Sequence, residues 1–99
     1  MRRRFPDPHS RLGGALVGMS GGTILESRQT PWASATFSGA RHRFVLHVPH
    51  IARKGELRAL DEREFDLPGH VLADIVMDDC VDEKDGLRCT IDALTVEDA

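Results

Sequence analysis

The chain reads as an α+β fold, a two-layer domain. A mainly antiparallel four-stranded sheet built from two hairpins, in the order ββαββ, should carry one helix on one face. Two hairpin patterns and the segment between them predict this. Apolar and polar residues alternate through Trp32–Val48 around Gly39. Apolar-rich runs at Val71–Val81 and Leu87–Val96 flank Asp85-Gly86, a type I′ turn signal. Between them, Glu56–Glu64 is rich in helix formers.

In the first hairpin, a type II′ turn with Gly39 and Ala40 as its loop requires positive φ at Gly39. That register sets Phe37 opposite His42, Ala35 opposite Phe44 and Ala33 opposite Leu46, small residues against large ones on a core face that continues to Val48. Trp32, Ser34, Thr36, Arg43, Val45 and His47 then share the other face. A short extra strand is expected at Thr23–Arg28.

In the helix, Leu57 and Leu60 share a face, and Asp66-Leu67-Pro68-Gly69 supplies a type II turn that stops it. The second hairpin is firm in kind and open in register. A two-residue loop at Asp85-Gly86 pairs Met77 with Leu94 but sets Asp79 against Asp92. A bulge near residues 78–80 and 92–93 resolves the phase change, and a longer loop allows a register that places Cys80 across from Cys89. Residues 1–22, with Arg2–Arg4, two prolines and many glycines, read as a flexible arm, leaving residues 23–99 as the single folded domain.

Ninety-nine residues allow one domain, and a formal net charge of −3 argues against a dedicated nucleic-acid binder. Two cysteines do not make a disulfide framework, and no apolar run is long enough for a membrane span. Arg2–Arg4, a weak apolar stretch and Ala33-Ser34-Ala35 sketch an export signal. Pro6–Arg11 and the glycines break that pattern, so a cytoplasmic location with Cys80 and Cys89 reduced is expected.

His42, His47 and His50 invite a metal reading. However, His42 and His47 are five residues apart and point to opposite faces of a strand, and there is no Cys-x-x-Cys; no metal and no cofactor are expected. An enzyme would use His70 with Asp74, Asp78 or Asp79, but no nucleophile elbow, phosphate loop or dinucleotide fingerprint is present. The reading therefore leans away from catalysis. Single-stranded RNA binding would use Trp32, Arg41, Arg43 and His47 on the sheet face, opposed by the acidic run from Asp74 to Asp85.

A non-catalytic binding or assembly role fits best. One helix covers one sheet face, which leaves Trp32, Arg41, Arg43, Val45 and His47 as the candidate binding face. The partner is a second copy, forming a homodimer, or another protein. A basic first hairpin and an acidic second one favour self-association.

Overall fold

A computed structural model describes residues 7–50, 57 and 60–98. A helix, α1 (Pro8–Ser20), leads into β1 (Thr23–Ala33) and β2 (Ser38–Pro49). A 3-10 turn (Leu60–Glu62) then precedes β3 (His70–Glu83) and β4 (Gly86–Glu97). The strands form one antiparallel sheet in the order β1-β2-β4-β3, so the two hairpins meet along β2 and β4. The fold is the expected α+β arrangement of two hairpins with a helix packed on one face.

The helix comes from another part of the chain than expected. The segment read as an arm contains α1, and the signals are local. Asp7 is the N-cap and accepts from the His9 backbone N–H, Pro8 opens the first turn, and Gly21 ends the helix at φ 70° with its N–H on the Val17 carbonyl. Leu12 and Leu16, one turn apart, are fully buried. Gly13 looks like a helix weakener but marks a close approach: a Cβ there would stand 3.0 Å from Phe44 Cε1 and 3.1 Å from Ile24 Cδ1. Arg11 ties the helix across the molecule, donating to the Asp66 carbonyl at 2.9 Å and its carboxylate at 2.8 Å. Of the helix expected over Glu56–Glu64, the described part holds the 3-10 turn, and Leu57 and Leu60 are buried in the core. Glu56, Arg58 and Ala59 lie outside the described residues.

The first hairpin turns four residues earlier than Gly39 suggests. Ser34 closes the loop, its N–H donating to the Phe37 carbonyl at 2.8 Å and its hydroxyl accepting from the Phe37 N–H at 3.1 Å. Ala33 therefore pairs with Ser38, Trp32 with Gly39 and Ser27 with Phe44. The expected positive φ at Gly39 is absent, and Ala33, Ala35 and Phe37, expected in the core, are exposed. The alternative register lets the chain use Thr23–Ala33 as one long strand, more than the short strand foreseen at Thr23–Arg28. Gly39 serves a different need, since a Cβ there would lie 1.9 Å from the Thr95 carbonyl oxygen of β4.

In the second hairpin the loop is Lys84-Asp85, one residue before the turn signal, and Glu83 pairs with Gly86. Cys80 stands opposite Cys89, and irregularities at Leu72/Asp74 and Met77/Asp79 restore the apolar phase, the second of them close to the expected bulge. The turn at Leu67–His70 is as read: Gly69 has φ 78° and the His70 N–H reaches the Leu67 carbonyl.

The core lies on one side of the central strands. Phe44, Leu46 and Val48 of β2 face Ile91, Cys89 and Leu87 of β4 across the register. Leu12 and Leu16 cover them from α1, with Leu57, Leu60 and Leu67 completing the layer. Fully burying each such side chain stabilises by roughly 1.5–3 kcal/mol.

Candidate functional site

Period-two geometry sends β2 side chains alternately into this core and away from it. The odd-numbered positions Gly39, Arg41, Arg43, Val45 and His47 face away, and the pairing places Trp32 of β1 on the same side. All of the sequence candidates (Trp32, Arg41, Arg43, Val45 and His47) thus stand on one sheet face, which no described helix covers. The parity survives the register error because moving the turn by four residues moves each partner by eight, an even number, as from His47 to Gly39 opposite Trp32.

This open face has a charge gradient across the strands. On the β1–β2 side, Arg28 stands directly opposite Arg43, and Arg41 is two residues along. Arg28, Thr30, Arg41, Arg43 and Asp92 line a shallow depression there. On the β3 side, Asp74, Asp79 and Glu83 alternate with the exposed Val71, Val76 and Val81. Arg43 bridges the two halves. Its guanidinium grips the Asp92 carboxylate with two bonds of 2.8 and 2.9 Å and approaches Asp78 at 3.6 Å. Those carboxylates hold its pKa above the usual arginine value, the hydrogen bond to Asp92 contributing most. Trp32, Val45 and His47 are half-buried by their strand neighbours. Arg28 escaped the sequence reading because the strand carrying it was expected to end there. Its position directly opposite Arg43 and diagonal to Arg41 becomes visible only when β1 is known to pair along its whole length.

The remaining candidates disperse. His42 points into the core, His47 lies on the open face, and His50 sits beyond β2 against the Glu83 carbonyl at 3.1 Å. No cluster of three or more potential metal ligands occurs among the described residues. His70 donates from Nδ1 to the Pro68 carbonyl at 3.0 Å, while Asp78, one of its proposed acid–base partners, turns to Arg43.

A buried polar chain was not foreseen. His9 of α1 and His42 of β2 are hydrogen-bonded through their Nδ1 atoms at 2.9 Å, one ring donating and the other accepting, and His42 Nε2 meets Thr95 Oγ1 at 2.8 Å. The rings stack on Phe44, with the His9 and Phe44 centroids 4.5 Å apart. Burial drops the His42 pKa to about 4, and the neighbouring imidazole of His9 adds to the effect. The chain fastens the start of the helix to the sheet in its neutral form.

No helix among the described residues is long and apolar enough to cross a membrane. No family model, no curated protein and no solved structure matches this chain.

Proposed function

We propose that the open sheet face is a protein-binding surface and that it seats a second copy of the same chain, making this a small assembly domain without catalytic activity. The observation that carries the reading is the charge gradient: Arg28, Arg41 and Arg43 at one side of the face, Asp74, Asp78, Asp79 and Glu83 at the other, with Val45, Val76 and Val81 among them. A surface that is positive at one edge and negative at the other is self-complementary under a two-fold rotation. The axis must run parallel to the strands. That rotation lays β1 of one copy over β3 of the other and β2 over β4, so that the basic half meets the acidic half. An axis running across the strands would set arginine on arginine. Either axis aligns the strands of the stacked sheets, as sandwich packing requires, so the charges decide between them. A nucleic acid would meet the acidic half of the face unfavourably. The expected compartment is the cytoplasm, where the thiols of Cys80 and Cys89 stay reduced.

The chain has a single tryptophan and no tyrosine, so Trp32 fluorescence reports on this face directly. On dilution from about 100 μM to below 1 μM, a range spanning ordinary homodimer constants, the emission should shift to the red as light scattering falls from twice the chain mass to one. Sodium chloride should move the midpoint to higher protein concentration. Val45→Glu should be folded and monomeric throughout. A wild-type protein that stays monomeric at about 100 μM, or that retains single-stranded RNA at physiological salt, overturns the proposal.

A further inference from the structure

Cys80 and Cys89 occupy opposed positions on β3 and β4, on the covered side of the sheet, with their sulfurs hydrogen-bonded at 2.8 Å. Directly opposed residues in an antiparallel pair have Cα separations within the range that a disulfide spans. Closing the pair to a bond of about 2.05 Å needs under about 1 Å of sulfur movement. The two thiols differ sharply in access. Cys80 is exposed on the outer strand, and Cys89 is 1 % exposed on a central one.

We propose that Cys80 and Cys89 form a redox-active dithiol that is oxidised by small, positively charged or neutral disulfides, Cys80 attacking and Cys89 resolving. The Cys80 thiolate attacks one sulfur of R–S–S–R, forming a mixed disulfide on Cys80 and expelling RS⁻. Cys89 then gives up its proton to the first RS⁻, which becomes RSH, and attacks Cys80 Sγ, expelling the second RS⁻, which takes from water the proton that Cys80 released on forming its thiolate. In total the protein dithiol loses two hydrogens and two electrons, and the disulfide becomes two RSH. Burial pushes the Cys89 thiol up to about 12, with the hydrogen bond to Cys80 adding to this, so it holds its proton until the mixed disulfide is in place.

The choice of substrate follows from the neighbours. Cys80 lies within the run Asp78-Asp79-Cys80-Val81-Asp82-Glu83. The exposed carboxylates there concentrate cationic reagents and repel anionic ones, an effect that salt weakens. The thiols lie on the covered side of the sheet, so the exchange itself is independent of what binds the open face; the charge selectivity is a property of the free chain, because Asp79 and Glu83 belong to that face.

Folded, reduced protein is treated with cystamine, a dication, or with glutathione disulfide, an anion, and followed by intact mass and free-thiol count. Cystamine should convert the wild type to a product lighter by two hydrogens, with no adduct retained and no free thiol. Cystamine should react on the order of tenfold faster than glutathione disulfide at low ionic strength, a gap that narrows in salt. Cys89→Ser should stop at the cystamine adduct, and Cys80→Ser should not react while folded. Retention of both thiols in the wild type, accumulation of a stable mixed disulfide, or an adduct on Cys80→Ser but not on Cys89→Ser would overturn the assignment. Equal rates for the two disulfides would overturn the charge selectivity.

Discussion

From His42 to Val48 the even-numbered residues of β2 are at most 2 % exposed, whereas Arg41 and Arg43 on the same strand stand in water and Val45 and His47 are only half-buried. One backbone thus serves two environments. The even side is closed by α1, by the leucines around the 3-10 turn and by β4, and it holds even a histidine, because His9 and Thr95 satisfy both ring nitrogens. The odd side is closed only by neighbouring strands, and on it Arg43 pairs with Asp92 and Asp78 across the sheet. The difference separates stability from recognition: substitutions on the even side should be paid in folding free energy, those on the odd side in association.

The largest effect should come from Phe44→Ala, which removes the ring that touches α1 at Gly13 and stacks on His9. A loss of about 3–5 kcal/mol is expected, measured by urea unfolding. Leu16→Ala on the helix should cost about 2–5 kcal/mol in the same assay, and a loss below about 0.5 kcal/mol would mean that α1 is not part of the cooperative unit.

Acid should discriminate the faces next. The folded His42 pKa lies near 4, below the ordinary value of 6.5, and that of His9 is also lowered. The unfolded chain therefore binds more protons between those values, so stability is full above about pH 6.5 and declines as the pH falls towards 4. The groups acting on His42 are His9 and His70, which oppose its charge, and Asp7, which favours it. His42→Gln should flatten the urea midpoint against pH across that window. A wild-type midpoint that is constant from pH 6.5 to 4.5 contradicts the buried pair. The smallest stability change, within about 0.5 kcal/mol, is expected for Val45→Glu on the odd side. A loss of several kcal/mol there would show that the open face is part of the fold rather than a place for a partner.

Much of this division was legible in the residues. Phe44, Leu46 and Val48 were assigned to the core, and Trp32, Arg41, Arg43, Val45 and His47 to the other side, from alternation alone. The faces assigned by alternation do not depend on where the hairpin turns, provided the loop length keeps its parity, and here two residues become four. The turn itself was misplaced because Gly39 has two explanations, positive φ or a close backbone approach, and only the position of β4 decides between them. The helix was missed for a similar reason. Gly13, Gly14 and Gly18 lower intrinsic helix propensity by about 1 kcal/mol each relative to alanine, and the burial of Leu12 and Leu16 that offsets it is tertiary. The caps at Asp7, Pro8 and Gly21 were readable and outweighed by composition. The His9–His42 contact joins residues far apart in the chain, and no local pattern announces it.

The strand order also determines how the protein must come together. Each hairpin is local, with partners joined by short loops at Ser34–Phe37 and Lys84-Asp85, and elements of this kind form in roughly 1–10 μs. The ladder between β2 and β4 is different: β2 ends at Pro49 and β4 begins at Gly86, with all of β3 in between. Joining them closes a long loop before any cross-seam contact can compensate the lost chain entropy. The slow event in refolding is therefore the encounter of two preformed hairpins. Phe44 and Ile91, opposed across that seam, are the side chains whose truncation should slow the folding arm of a chevron, while changes at the outer edges of β1 and β3 should act mainly on unfolding.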